Sequence, residues 1–502
     1  MIVQIYAKCL LLTVSLATLS ACASINMGQG SANKGVGTLA QQSNVPQPPI
    51  NAKTGIQTWV ETAPERLPST NWVGNFNDSM LNDLIAEAML ANTDVRGAQA
   101  RLMAAEASAA SSRSGLYPNI GVNANASRNE SISGNIPGST SFSLGGSASW
   151  EVDMWGRIRG QADAGDLDAQ ASNADYAGTR LAIAGATTQT WFNLIEARLQ
   201  TDLATRNVKT QERALRLTKR RFDGGISGSS DYRLARSALA NANASLAARK
   251  QIQNSTTRQL ETLLRRYPED ALKARNTLPD LPSLNGVDGP QDIFLRRPDL
   301  LAAERRMQAA GIRVDIAKKN LLPRLTLTGS ASSNGSSLTR LFSLNALAAS
   351  LASGLTAPVF QGGALRADIA RNEANLRLQM ENYAGIALTA YREVENGLDA
   401  EGLLSERVAA LTISLDEAQK AEERLEQRFS EGLASILQLL DAQSRRISTE
   451  GQLISARKER LANRVRLHLA LGGGLYGQEL AREKHPKPSL ILPKFAQLTD
   501  RP

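Results

Sequence analysis

Few side chains in this sequence have the type and spacing to do chemistry. Its only imidazoles are His468 and His485, and its only thiols are Cys9 and Cys22. A structural metal site gathers about four such ligands at short spacing, so neither a metal centre nor a disulfide framework is expected. There is no Gly-x-Ser-x-Gly elbow, no Walker loop and no dinucleotide fingerprint. Gly472-Gly473-Gly474 follows a helical pattern and is not followed by Lys-Ser/Thr, so it reads as a helix end and not a phosphate cradle. The chain is therefore expected not to be an enzyme and to hold no cofactor. Two other features stand out. Leu437 and Asp441 lie four residues apart and share one helix face. Cys22 sits in the run Leu19-Ser20-Ala21-Cys22, directly after a short apolar segment.

That run supplies the one covalent reaction the sequence suggests. Lys8 precedes the apolar stretch Cys9 to Leu19, which is too short for a membrane span and reads as a secretory signal over residues 1–21. Leu19-Ser20-Ala21-Cys22 resembles the bacterial lipoprotein box, which implies cleavage before Cys22 and acylation of its thiol. Residue 23 is Ala and not Asp, which in such lipoproteins points to the outer membrane. Several acyl chains, at about 0.8 kcal/mol per buried methylene, anchor a protein firmly.

The elements that must position everything else are written twice. Asp94, Ala98, Arg101, Ala104, Ala105, Leu116, Pro118 and Asn129 recur 205 residues later as Asp299, Ala303, Arg306, Ala309, Ala310, Leu321, Pro323 and Asn334. Arg221-Phe222-x-x-Gly225 recurs as Arg428-Phe429-x-x-Gly432, an offset that has drifted by only two. The chain is a tandem duplication. Each half should begin with a helix, over about 80–116 and 299–321. Two strands and a long helical hairpin should follow. The first repeat is read as 76–266, with strands 119–129 and 140–150 and a hairpin at 160–266. The second is read as 299–474, with strands 324–334 and 344–359 and a hairpin at 366–470. Residues 22–75 and 267–298 read as linkers, and 475–502 as a tail. Helical runs of this length would approach 100 Å at 1.5 Å per residue, far longer than a globular domain needs.

The strands carry a separate signal. Phe142, Leu144, Gly146, Ala148 and Trp150 alternate with serines and Gly145, and Leu325, Leu327, Gly329 and Ala331 alternate with Thr and Ser. Segments of about ten residues that are apolar on one face and small-polar on the other fit a transmembrane barrel. The run 344–359 alternates poorly. Four strands cannot close a barrel and an open edge is not tolerated in lipid, so several chains must contribute. The composition agrees. With 42% apolar and only 4% aromatic residues, it favours helices packed through small side chains. The net charge of +9 is spread among Asp and Glu along those helices, so no nucleic-acid partner is expected.

Five motifs in order resemble the outer-membrane efflux protein (TolC-type) family, and specifically its lipoprotein branch. They are Trp150-Glu151-Val152-Asp153-Met154-Trp155-Gly156-Arg157-Ile158-Arg159, Arg296-Arg297-Pro298-Asp299-Leu300, Ala357-Pro358-Val359-Phe360-Gln361-Gly362-Gly363, Leu437-x-Leu439-Leu440-Asp441-Ala442-Gln443 and Ala470-Leu471-Gly472-Gly473-Gly474. The resemblance runs from about Trp72 to Gly474. It implies a mainly α fold with a membrane β-barrel: a homotrimer with four barrel strands per chain, continuous with a tunnel of long periplasmic helices. It further implies an outer-membrane exit duct for small toxic compounds such as drugs, working with a periplasmic adaptor and an inner-membrane pump. The lipid on Cys22 and the surrounding outer-membrane lipid would hold it in place. Alternatives are a duct for type I protein secretion, or a structural lipoprotein spanning the periplasm. The lipobox favours small-molecule efflux over secretion, and the alternating strands disfavour a mere spacer. Residue by residue, the resemblance makes Leu437 and Asp441 a periplasmic gate. It makes Gly225-Ile226-Ser227 and Gly432-Leu433-Ala434 tips that meet the adaptor. The family's Arg three residues after the gate Asp is replaced here by Ser444, with Arg445 next.

Overall fold

The computed structural model describes residues 72–130, 138–282, 293, 296–343 and 347–473. Cys22, the signal segment 1–21, most of the linker 22–75 and the tail 475–502 lie outside the described residues. In chain order come α1 (Ser79–Ala91), α2 (Thr93–Ser114), β1 (Asn119–Asn129), β2 (Ser139–Val152), α3 (Arg157–Asp223) and α4 (Ser229–Leu263). They are followed by α5 (Pro298–Lys319), β3 (Arg324–Gly335), the single turn α6 (Leu338–Leu341), β4 (Leu347–Thr356), α7 (Ala364–Ser430) and α8 (Ile436–Ala470). The duplication is literal in the helices. α3 and α7 each have 67 residues, and α4 and α8 each have 35. At 1.5 Å per residue the two long helices reach about 100 Å.

The expected first helix is broken in two. Asn92 leaves the helical path, and its side chain accepts from the Asp94 and Val95 amides to start α2. The same amide donates to the Leu263 carbonyl at the end of α4, at 2.8 Å. Its counterpart in the second repeat, 205 residues on, is Arg297. That side chain lies just before Pro298, the first residue of α5, and donates to the Ala470 carbonyl at the end of α8, at 2.9 Å. In both repeats the residue before the short helix thus satisfies a carbonyl left open where the return helix stops. The two helices are riveted end to end.

The sheet is antiparallel in the order β1-β2-β3-β4. Its register places Ile120, Val122 and Ala124 beside Ala148, Gly146 and Leu144 on one face, followed by Gly329, Ala331 and Ser333 and then Leu351, Ala349 and Leu347. The opposite face carries Asn123, Asn125, Ser143, Ser147, Ser330, Ser332 and Ser350, with Ser330 and Ser350 hydroxyls 2.8 Å apart. Along the middle of the sheet one face is apolar and the other is polar and uncharged; the charges sit at the strand ends, with Glu151 and Arg324 on the polar face and Arg128 on the apolar one. β4, expected over 344–359, runs over 347–356, and pairing with β3 puts Leu347, Leu351 and Leu355 on the apolar face. Val122 is 79% and Leu351 85% exposed, so the apolar face is uncovered by the chain itself. Among the described residues no strand pairs with the outer edge of β1 or of β4. Tilted about 40°, strands of 10–14 residues rise roughly 25–35 Å. No helix among the described residues is long and apolar enough to cross a membrane.

The main core lies far from the sheet. Trp191, Phe192, Leu194 and Ile195 of α3 pack against Trp72, Phe76, Leu81 and Ile85. Asp78 caps α1 through the Leu81 amide and accepts from Trp191 Nε1 at 2.9 Å, which fixes α1 on α3. Glu261 of α4 is buried and accepts from the Asp270, Ala271 and Leu272 amides, which secures the start of the inter-repeat linker. Burial opposes its charge, yet those three donors hold its carboxyl below the ordinary value.

Candidate functional site

The two hairpin tips are built alike. At the end of α3, the Gly225 amide donates to the Phe222 carbonyl and the Ile226 amide to the Arg221 carbonyl, at 3.0 and 2.8 Å. At the end of α7, Gly432 donates to Phe429 and Leu433 to Arg428, at 3.1 and 2.8 Å. This pair of bonds is the Schellman helix stop. It demands a left-handed residue, and Gly225 (φ 72°) and Gly432 (φ 85°) supply it without a Cβ penalty. Beyond the second turn Ser435 and Gln438 form a reciprocal capping box that starts α8. Ile226 and Leu433 stand at the apices, exposed, with Ser227 and Ala434 half-buried behind them.

The tips are side by side. Arg221 Nη1 donates to the Phe429 carbonyl at 2.8 Å, and its guanidinium lies 4.9 Å over the Phe429 ring. Phe429 belongs to a small core with Ala235, Ile436 and Leu439. On α8 the buried positions Ile436, Leu439, Ala442 and Gln443 occupy one face, while Leu437 and Asp441 look the other way and are exposed. The sequence-predicted pair therefore does share an outward face. Arg445 Nε donates to Asp441 Oδ2 at 2.8 Å along the same helix. Asp441 beside it pushes the Arg445 guanidinium above its ordinary value. This ion pair lies one turn on and is internal to α8.

Sequence reasoning missed the seam between α3 and α8. Gln211 donates to Gln443 at 3.1 Å, Arg206 pairs with Glu450, Gln200 donates to the Gly451 carbonyl at 2.8 Å, and Glu196 pairs with Lys458 at 3.2 Å. Arg446 joins Glu422 of α7 to Glu450. Polar side chains hold the first hairpin to the second along residues 196–211 of α3 and 443–458 of α8. The buried positions of Glu422 and Gln443 would have been detectable only by knowing which face of each helix meets which neighbour. His468 was also unassigned. It is buried, stacked on Trp72 at 5.7 Å, and burial, with Arg464 adding to it, pushes its imidazole down to about 4. Among the described residues no group of three or more His, Cys, Asp or Glu gathers to hold a metal ion.

The first motif ties strand to helix. The Asp153 carboxylate accepts from the Ile158 and Arg159 amides at the start of α3, Glu151 pairs with Arg157 at 2.8 Å, and Trp155 Nε1 donates to the Pro323 carbonyl at 2.7 Å. Exposed Tyr117, Trp155 and Phe360 ring this end of the sheet, and Phe142 and Phe342 mark the other. Aromatic residues at both rims of an apolar band are the mark of a membrane barrel wall.

The sequence profile of the family described as outer membrane efflux protein matches residues 84–265 and 289–473. The chain belongs to that family. It is 29% identical over 445 residues to the pyoverdine export outer membrane protein OpmQ of Pseudomonas putida, covering 86% of this chain and 94% of that one. The toluene efflux pump outer membrane protein TtgF, also of Pseudomonas putida, is 29% identical over 80% of this chain and 85% of its own. The open-state outer membrane channel MtrE of Neisseria gonorrhoeae superposes with a TM-score of 0.75 at 27% identity, over 86% of this chain and 98% of that one. These relatives are channel proteins. The chain is an outer-membrane efflux channel, mainly helical, with a small antiparallel sheet.

Proposed function

We propose that this chain is the lipid-anchored, trimeric exit duct of a tripartite system that expels small toxic compounds. The observation that carries the reading is the four-stranded sheet, apolar along the middle of one face, polar on the other, with no further strand at either edge among the described residues. In a bilayer an unpaired edge leaves backbone donors and acceptors unsatisfied at several kcal/mol each. Pairing β1 of one copy with β4 of the next removes every edge, and three copies give twelve strands. The names of OpmQ and TtgF refer to pyoverdine and toluene, which supports small molecules as the cargo here. Acylation at Cys22 follows from the lipobox. A periplasmic adaptor would meet the apices Ile226 and Leu433, whose glycine-built turns leave backbone accessible; replacing Gly225 and Gly432 with bulky residues should reduce adaptor cross-linking while assembly survives. Leu437 and Asp441 would form the gate, since three copies of an exposed leucine and a carboxylate near one axis narrow and charge a passage. Planar-bilayer recording tests the duct: the purified protein should open cation-preferring pores, and an assembled protein without conductance would refute it.

A further inference from the structure

A hollow of about 890 Å³ opens between α3 and α7, floored where the end of α8 meets the start of α5. It lies at one end of a longer groove along α5, whose other stretches share Asp168, Arg313 and Asn372. In those stretches the charges cancel in pairs, Asp168 with Arg313 and Asp368 with Arg371. The hollow is different in two ways. Its wall is largely apolar, made by Ala174, Leu181, Ala182, Ala400, Leu469 and Pro298. Its charge does not cancel. Asp175 is spent on Arg306 and Arg466 on Glu459, but the single guanidinium of Arg297 serves both Asp299 and Glu393, each at 2.7 Å. Among the described lining residues Asp175, Asp299 and Glu393 face two cations, Arg297 and Arg466, which leaves one negative charge over. Arg297 is buried and locked by the Ala470 carbonyl, so it cannot turn away, whereas the Glu393 carboxylate is half-exposed at the rim. The volume is that of a small-molecule site, in which apolar walls supply affinity and a few polar groups supply selection.

We propose that this hollow is a binding site for amphiphilic organic monocations, with Glu393 as the charge-selecting residue and the wall around Ala182 taking the apolar body. The assignment rests on the exit-duct reading and names a cargo class for it. Its test uses the full-length protein in phosphatidylcholine nanodiscs, equilibrium dialysis, and two probes of matched shape and opposite charge, tetraphenylphosphonium and tetraphenylborate. Saturable binding above empty nanodiscs is expected for the cation alone. Glu393→Gln removes the surplus charge and should weaken cation binding about fivefold. Ala182→Trp fills the hollow from an exposed position and should abolish binding. Equal binding of the two probes, which needs no variant, would overturn the proposal, as would full binding by Ala182→Trp protein. Wild-type protein that conducts in bilayers but fails to distinguish the probes loses this site and keeps the duct. Protein that assembles without conducting loses the duct, and the cargo assignment with it.

Discussion

Arg221 clasps one hairpin tip to the other through Phe429, and its removal tests whether that clasp helps to close the duct. Arg221→Ala deletes a charge-assisted hydrogen bond to the Phe429 carbonyl and a cation–π contact with the Phe429 ring. A half-buried bond of this kind contributes about 1.5 kcal/mol, and the ring contact about 0.5–1 kcal/mol. Together they make about 2 kcal/mol, or roughly a thirtyfold shift towards separated tips. Phe429→Leu keeps the carbonyl and most of the apolar volume, so it should lose only the ring contact, a factor of about two to five. The assay is open-state occupancy in planar bilayers, with assembly checked on native gels. Arg221→Ala should open much more often than wild type, and Phe429→Leu should fall between. An assembled Arg221→Ala protein with wild-type occupancy would show that the clasp does not couple the hairpins. Equal effects from the two variants would show that the hydrogen bond contributes nothing.

Other predictions follow from separate parts of the molecule. Because the folded Glu261 carboxyl is held below its ordinary value, its contribution to stability is present above the unfolded pKa and is lost as pH falls through the lower folded value; Glu261→Ala should flatten the acid limb of a melting-temperature profile below about pH 4.5. Leu437→Ala with Asp441→Ala should raise single-channel conductance and reduce cation preference, and unchanged values in assembled protein would remove both from the gate. Val122→Arg on the apolar face of β1 should cost about 2–4 kcal/mol and block insertion, while Asn123→Arg one residue on should insert normally, read as yield in the outer-membrane fraction.

How far the sequence reveals this architecture varies with the element. β1 could be read to its last residue because Ile120, Val122, Ala124 and Ala126 alternate cleanly with polar neighbours. β4 could not, because Ala348, Ala352 and Gly354 on its polar face are themselves weakly apolar and hide the alternation. Only the register with β3 restores it. The tips were legible through their glycines, since a left-handed helix stop leaves a visible residue. The break at Asn92 was not, because the helical pattern continues on both sides, and the cap that Asn92 makes there is held in part by a carbonyl 171 residues away. Leu437 and Asp441 could be placed on one face from spacing alone, and the structure turns that face outward. The clasp of Arg221 on Phe429 and the polar seam from Gln211 to Glu196 arise between hairpins. Amphipathic spacing tells which residues share a helix face and says nothing of which neighbour that face meets.

In the proposed duct this sheet is closed by copies of itself. Native mass spectrometry of the full chain extracted from the outer membrane in mild detergent measures this directly. Three copies per particle are expected, retained when the helical tips are loosened by Arg221→Ala and lost with Val122→Arg. A stable single copy that still conducts in a planar bilayer would contradict it.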